Sequence, residues 1–149
     1  MKRMHIHLGV PNLDKAIDFY TLFFGAQPVK VKSDYAKWMI NDPRVNFAVS
    51  TSSQKIGLDH LGIQVEEEKE LKEFRTRMKG ADRQLFDEGE TECCYSKSDK
   101  SWIIDPAGIG WETYRNMEDI EYFSAKKVTQ SNEVKSCCAP IPGKQTCCE

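Results

Sequence analysis

The sequence predicts an α+β fold in which two tandem βαβββ modules pack side by side around a shared cavity. The main evidence is an internal repeat. Residues 4–10 and residues 58–65 both alternate like strands, both carry a histidine five residues before a final valine, and both precede a helical pattern. Each half also contains an Asp-Pro pair that marks a turn before its last strand. Because neither sheet can bury both of its faces alone, the two modules are expected to close on each other.

The first module covers about residues 1–53 and begins with the strand at residues 4–10, whose two histidines share one face. Asn12 is a typical helix N-cap residue and Gly25 a typical C-terminal stop, so a helix is predicted between them. The module is completed by short strands at residues 36–40 and 45–50.

The second module covers about residues 57–115 and repeats this order. A helix is predicted at residues 66–79, where acidic residues come early and basic residues late, as the helix dipole favours. Residues 87–100 are rich in glycine, serine and charge, so we expect a mobile loop there. The predicted strands of this module are residues 58–65, 84–86, 101–104 and 109–114.

The composition changes after Asn116, which divides the chain into a domain at residues 1–116 and a tail at residues 117–149. The tail becomes polar and contains prolines and cysteine pairs, and it lacks the apolar periodicity that a core requires. We therefore expect a flexible, Cys-rich C-terminal tail.

The overall charge limits the classes of partner. Lys and Arg total 21 against 23 Asp and Glu, so the 149-residue chain has no basic excess for nucleic acid and no polybasic block for lipid. No apolar run approaches the roughly 18 residues that span a membrane, and none has signal-peptide length. A cytoplasmic protein without nucleic-acid or membrane partners is expected, and both a monomer and a homodimer remain open.

All six cysteines lie in adjacent pairs, namely Cys93-Cys94, Cys137-Cys138 and Cys147-Cys148. Neighbouring Cα atoms are about 3.8 Å apart, below the roughly 4.4–6.8 Å of a disulfide. Two adjacent thiolates can instead bind one soft atom, which indicates a soft metal or metalloid as ligand or substrate. A disulfide framework between different pairs is the alternative, and a reducing cytosol disfavours it.

A metal site is predicted in the shared cavity. His5 and His60 occupy matching positions of the two modules, and Glu112 lies in the last strand of the second. Two imidazoles and one carboxylate form the facial triad that suits non-haem Fe(II) and leaves positions open for substrate and dioxygen.

Two further observations in the sequence concern the ligands of this metal site. Glu112 lies seven residues after Asp105, and the same count from Asp42 reaches Val49, so no fourth carboxylate is expected. His7 shares the face of His5 and is an alternative ligand, although its match in the second module is a glycine.

The motifs HIHLGV, HLGIQV and DPAGIGWE resemble the vicinal oxygen chelate superfamily over residues 4–115. That superfamily includes glyoxalase I, extradiol dioxygenases and the bleomycin- and fosfomycin-resistance proteins. The stretches ECCYSKSDKSWIIDPAGIGWE and YAKWMINDPRVNFAVS further resemble the bacterial carbon–arsenic lyases, also called cadmium-induced proteins.

This resemblance implies an Fe(II)- and dioxygen-dependent lyase that converts trivalent organoarsenicals to arsenite and an oxidised organic fragment and so confers organoarsenical resistance. It assigns metal binding to His5, His60 and Glu112, and arsenic binding to Cys93 and Cys94. Other divalent metals can occupy such a site in purified protein.

Further residues have candidate roles around the bound arsenic. Asp99 and Lys100, in the predicted loop, are candidates to order its closed form. The tail cysteines are candidates for arsenic capture and transfer, or for a dispensable scavenger; they are Cys137, Cys138, Cys147 and Cys148.

Two other functions remain open at this stage. The first is sequestration of Cd(II) or As(III) without turnover, which explains the cysteines but not the triad. The second is a glyoxalase-type isomerase or thiol transferase, which the missing fourth ligand disfavours.

Overall fold

The computed structural model describes residues 1–80 and 85–121, and it confirms the two βαβββ modules. The first module contains β1 (Arg3–Gly9), α1 (Leu13–Phe24), β2 (Lys30–Val31), β3 (Tyr35–Asn41) and β4 (Arg44–Ser50). The second contains β5 (Gly57–Val65), α2 (Glu68–Lys79), β6 (Phe86–Cys93), β7 (Ser96–Ile104) and β8 (Gly110–Asp119).

The eight strands form one sheet in the order β2-β3-β4-β1-β5-β8-β7-β6. The modules meet where β1 and β5 pair antiparallel, and each of these two strands pairs in parallel with the last strand of its own module. The two repeated histidine-bearing strands are therefore neighbours at the centre of the sheet.

Helix α1 covers one face of the first half of the sheet. The Asn12 side chain accepts a hydrogen bond from the backbone N–H of Lys15 at 2.9 Å, and Gly25 ends the helix with φ of 61°. Trp38 and Val49 are fully buried in the core beneath α1. Because this face is filled by the helix, the opposite face is the one that forms the pocket.

The predicted loop at residues 87–100 is wrong. These residues belong to a β-hairpin made of β6 and β7, joined by a two-residue turn at Cys94 and Tyr95. Asp99 and Lys100 are consequently strand residues rather than parts of a lid. Asp99 binds Arg75 of α2 at 2.6 Å, whereas Lys100 is buried and lines the pocket.

Strand β8 continues to Asp119, so residues 117–119 of the predicted tail belong to the sheet. The tail cysteines lie outside the described residues, as does residue 84 of the predicted strand at 84–86. Neither described helix has the length and apolar character needed to cross a bilayer.

Candidate functional site

The pocket has a volume of about 460 Å³, including the part open to solvent, and both modules line it. The ionisable groups in its wall are unusually numerous for a buried surface. They comprise the three histidines of the chain, Lys37, Cys94, Lys100, Glu112 and the phenols of Tyr35 and Tyr114.

His5, His60 and Glu112 converge on one point of this pocket. The Nε2 atoms of His5 and His60 are 3.2 Å apart. Oε1 of Glu112 lies 3.2 Å from Nε2 of His5 and 3.5 Å from Nε2 of His60. All three side chains are buried, and the structure brings together the three residues that the sequence analysis proposes as ligands.

The outward-facing nitrogens fix the tautomers of both rings. Nδ1 of His5 lies 3.0 Å from the carbonyl oxygen of Asn46, and Nδ1 of His60 lies 2.6 Å from Oδ1 of Asp59. Carbonyl and carboxylate oxygens only accept, so both Nδ1 atoms carry the proton and donate. This arrangement of outer acceptors is typical of metal-binding histidines, because it orients the ring and raises its basicity.

A β-bulge explains the position of Asp59. The register of β1 against β5 shifts after His7, which pairs with His60, while Leu8 pairs with Leu58. Asp59 is the extra residue on β5, and it is buried beside the ring of His60. Hydrophobic periodicity gives no signal for such a bulge, so sequence analysis missed this acceptor.

The distances within the triad fit a single divalent ion. Two donors about 2.0–2.2 Å from one ion, with an angle of about 90–109° between them, lie about 2.8–3.6 Å apart. All three distances among Nε2 of His5, Nε2 of His60 and Oε1 of Glu112 fall in this range. These side chains can therefore hold one ion without rearrangement of the sheet.

The charges around the triad also favour a cation. Burial alone would raise the pKa of Glu112, but Lys100, His60 and His5 outweigh it, and the carboxylate stays ionised. Burial would lower the pKa of His60, but the carboxylates Asp59 and Glu112 raise it above its ordinary value. The pKa of His5 falls to about 4, mainly because of burial, so this ring is neutral.

Lys100 orients Glu112. Its Nζ lies 3.5 Å from Oε2, whereas the two histidines approach Oε1. Burial would lower the pKa of Lys100, but Glu112 and Cys94 raise it, so the ammonium stays charged. One oxygen of Glu112 thus faces Lys100 while the other faces the two Nε2 atoms.

His7 lies beside the triad, and its Nε2 is 2.8 Å from the hydroxyl of Ser50. The ligand atoms of His5, His7 and His60 all lie within 4.8 Å of one another, so a three-histidine set is a second way to hold a metal. The contact with Ser50 occupies Nε2 of His7, whereas Nε2 of His5 and of His60 both face Glu112.

The first-module counterpart of Glu112 is Ala48 rather than Val49. Glu112 pairs with Gly62 on β5, and the equivalent residue on β1, His7, pairs with Ala48. Val49 points to the opposite face and packs in the core under α1. The count of seven residues failed because the turn before β4 is shorter than the turn before β8. The conclusion drawn from it holds, since alanine offers no ligand.

Cys94 brings a thiol to the same pocket. It lies at the turn between β6 and β7, is half-buried, and packs against a cluster of Tyr35, Ala48 and Tyr95. Cys93 is the last residue of β6, where it pairs with Ser96. The turn that carries Cys94 and the triad on β1, β5 and β8 therefore line one cavity.

The chain was compared with known proteins. Residues 2–113 match the profile of the Glyoxalase/Bleomycin resistance protein/Dioxygenase superfamily. A trivalent organoarsenical cleaving enzyme of Bacillus sp. (strain MD1) is 38% identical over 153 residues, 99% of this chain and 91% of the relative. The cadmium-induced protein CadI of Mycobacterium tuberculosis (strain ATCC 25618 / H37Rv) is 32% identical over 142 residues, 93% of each chain.

A solved structure supports the likeness of fold. The Mn(II)-bound glyoxalase from Novosphingobium aromaticivorans matches with a TM-score of 0.58 at 14% identity. The match covers 85% of this chain and 44% of that one.

Proposed function

The chain belongs to the Glyoxalase/Bleomycin resistance protein/Dioxygenase superfamily, and we propose that it is a metal-dependent enzyme that cleaves the carbon–arsenic bond of trivalent organoarsenicals. One observation carries this proposal: a metal-type donor set and a cysteine of an adjacent pair share one buried pocket. The names of the relatives as organoarsenical cleaving enzymes support the same reaction.

We assign the metal to His5, His60 and Glu112. The donor set, two imidazole nitrogens and one carboxylate oxygen, suits Fe(II). When bound, Fe(II) supplies the one-electron redox chemistry that a reaction with dioxygen requires. The protein's part is to hold Nε2 of both rings and Oε1 of Glu112 in place, through Asn46, Asp59 and Lys100.

Cys93 and Cys94 bind the substrate arsenic in this proposal. With methylarsenite, CH3As(OH)2, each thiol replaces one hydroxyl, so two As–S bonds form, two As–O bonds break and two waters leave. The As–C bond is retained in this step. The ammonium groups of Lys37 and Lys100 line the same pocket as Cys94 and stabilise its thiolate form.

The net reaction balances with dioxygen as the oxidant. Methylarsenite and one dioxygen give arsenite, As(OH)3, and formaldehyde, so the As–C bond is exchanged for an As–O bond and the methyl carbon is oxidised. The buried wall of the pocket excludes bulk water from the donor set, which strengthens the electrostatic contacts of Glu112 there.

The decisive experiment is oxygen uptake by Fe(II)-loaded protein given methylarsenite, with arsenite measured by chromatography and mass spectrometry. We expect one dioxygen consumed per arsenite formed, and loss of both signals after removal of iron by a chelator. Glu112→Gln should lose iron and turnover, and Cys94→Ser should lose turnover while keeping iron. Glu118→Gln, on the exposed end of β8, is the matched control.

Two other outcomes would contradict the proposal. Stoichiometric binding of arsenic without oxygen uptake would identify a sequestering protein. Conversion of a thiol adduct without oxygen uptake, supported by a redox-inert metal, would identify an isomerase or thiol transferase.

A further inference from the structure

The turn that carries Cys94 has an unusual backbone. Cys94 and Tyr95 have φ of 54° and 60°, and they are the only non-glycine residues with positive φ among residues 1–80 and 85–121. Two consecutive residues in this region form the centre of a type I′ turn, which favours Asn and Gly. A bulky residue such as tyrosine is disfavoured there, so contacts elsewhere must hold the turn.

Those contacts come from the other module. The carbonyl oxygen of Tyr95 accepts a hydrogen bond from Nζ of Lys30 at 2.9 Å. The side-chain hydroxyl of Tyr95 donates a hydrogen bond to the carboxylate of Asp34. The ring of Tyr95 lies 5.7 Å from that of Tyr35, and Nζ of Lys32 lies 5.4 Å from its centroid. Residues 30–35 thus surround a tyrosine that is only 7% exposed.

These contacts join opposite ends of the sheet. In the strand order, β2 is one edge and the hairpin of β6 and β7 is the other. The sheet therefore curls until its two ends meet at Tyr95, next to Cys94. The backbone N–H of Ile120, just after β8, also donates to the carbonyl oxygen of Tyr95, at 3.1 Å.

The hydroxyl of Tyr95 remains a donor at neutral pH. Burial and the neighbouring Asp34 raise the pKa of Tyr95 to about 12. The hydroxyl of Tyr95 therefore keeps its proton at neutral pH and can donate the hydrogen bond to Asp34. This hydrogen bond connects the turn to Asp34 of the first module.

We infer that Asp34 and Tyr95 are positioning residues that hold the turn of Cys94 and Tyr95 at the pocket and so place the Cys94 thiol for binding of trivalent arsenicals. This inference rests on the proposed function in taking an arsenical as the ligand of the turn. The left-handed backbone of Cys94 and Tyr95 sets the position of the Cys94 thiol, and the contacts of Tyr95 hold that backbone. The first module, which contains no cysteine, would thereby control the geometry of the thiol site in the second.

The test measures arsenical binding apart from turnover. The probe is phenylarsine oxide, added to full-length protein in which the four tail cysteines are replaced by serine. Asp34→Ala should weaken binding about tenfold, by the loss of one charge-assisted hydrogen bond, and Tyr95→Phe at least as much, because it also loses a bond with Ser33. Asp34→Asn keeps an acceptor oxygen but not the charge, so it should lose less binding than Asp34→Ala, and Asp18→Ala, exposed on α1, is the control.

A double-mutant cycle separates positioning from general stability. Tyr95→Phe removes the bond to Asp34 and also a bond with Ser33, whereas Asp34→Ala removes only the first, so the double variant should bind no more weakly than Tyr95→Phe alone. Iron affinity should be unchanged in all of them, and in turnover assays KM should rise while kcat changes little.

Three results would overturn the inference. These are wild-type arsenical binding in Tyr95→Phe, additive losses in the double variant, or a parallel loss of iron affinity, which would make the contact merely structural. If Asp34→Ala fails to fold, Tyr95→Phe decides alone, because it keeps the ring packed against Tyr35. The binding measurements do not depend on catalysis. Absence of oxygen uptake in wild type would therefore refute the proposed function, whereas this inference would still be decided by the binding of phenylarsine oxide.

Discussion

Gly62 and Glu112 face each other across β5 and β8, and the missing side chain of Gly62 sets the space between them. A Cβ atom at position 62 would lie 2.5 Å from the carbonyl oxygen of Glu112 and 2.8 Å from its Cγ. Both distances are shorter than real Cβ contacts. A glycine is thus needed here for close approach rather than for a special φ angle.

Gly62→Ala should therefore displace Glu112 and lower iron affinity at least about tenfold, which is roughly 1.4 kcal/mol. The strand should still form, because alanine adopts β conformation readily. The measurement is iron stoichiometry and affinity, beside the unfolding temperature. Gly80→Ala at the end of α2 is the control, since its Cβ would meet no atom closer than 3.5 Å. Unchanged iron affinity in Gly62→Ala would show that Glu112 is not a ligand.

Lys37 is a buried ammonium on the pocket wall, only 8% exposed. Its pKa is lowered because burial, helped by the nearby Lys30, outweighs the attraction of Asp119 and Cys94. The folded protein is thus destabilised by this charge at neutral pH. A charge kept at such a cost is typical of functional sites.

Lys37→Met should raise stability by about 1 kcal/mol or more at neutral pH, with weaker arsenical binding. Because the folded pKa lies below the model-peptide value of 10.5, the folded wild type binds fewer protons than its unfolded chain at alkaline pH. Wild-type stability then rises with pH in that range, and its deficit relative to the variant shrinks. Urea unfolding at pH about 7 and about 10 measures both effects, with exposed Lys15→Met as control. A constant difference between the two pH values would contradict this account.

At the residue scale, the sequence could predict that His5, His60 and Glu112 lie together, but not the residues that support them. His5 and His60 stand out because the repeat places them in matching positions, and Glu112 because a carboxylate facing the cavity in the last strand would be costly to bury without a cation. Asp59 reaches His60 only through a β-bulge, and Ala48 replaces Val49 only because the two turns differ in length. Such features depend on backbone register, which a single sequence does not carry.

At the scale of elements, the helices and the apolar strands could be predicted, and the hairpin of β6 and β7 could not. Alternation does exist in β7, where Ser96, Ser98 and Lys100 are buried and the residues between them are more exposed. The buried residues are polar because they face a polar pocket, so hydrophobicity shows no period of two. β6 is an edge strand rich in acidic residues, so its sequence also lacks the apolar alternation from which a strand could be predicted.

Arg75 is the main polar contact between α2 and this hairpin. Its guanidinium donates to Asp87 at 2.7 Å and to Asp99 at 2.6 Å, and its Nε donates to the hydroxyl of Ser101 at 2.6 Å. The cluster lies on the face of β7 opposite to the buried Lys100. It therefore supports the hairpin from outside without touching the donor set.

Arg75→Leu should cost roughly 1–3 kcal/mol of stability, because two carboxylates lose their shared donor. Iron affinity should be retained, since Lys100 and Glu112 are unaffected. Thermal unfolding and iron titration measure the two effects, and exposed Arg77→Leu on the same helix is the control. A loss of iron affinity as large as the loss of stability would show that α2 also positions the site.

At the scale of the whole molecule, the site exists only where the modules meet. His5 comes from the first module and His60 and Glu112 from the second, and the pairing of β1 with β5 brings them together. The repeat predicted that the two modules pack side by side around a shared cavity, because neither sheet can bury both of its faces alone. Contact between the two ends of the sheet at Tyr95 depends on the curl of eight strands, which the sequence pattern does not specify.

The remaining question at this scale is the tail, and truncation after Phe123 addresses it. Every described contact of the fold and the site lies within residues 1–121, including the bond from Ile120 to Tyr95. Fold and iron affinity should therefore persist, and turnover at saturating methylarsenite should persist because Cys93 and Cys94 remain. Fewer arsenic atoms should bind per chain, since two of the three cysteine pairs are removed.

The kinetics of the truncated protein then separate the roles of the tail. If the tail pairs capture arsenicals for the pocket, kcat/KM should fall while kcat stays nearly constant, because tethered capture raises the local substrate concentration. Full-length protein with the four tail cysteines replaced by serine is the matched control, and it should reproduce the same kinetics. Wild-type kinetics at every concentration would refute transfer and leave the pairs as a scavenger. A loss of kcat in the truncated protein but not in the serine variant would instead mean that the tail chain itself closes over the pocket.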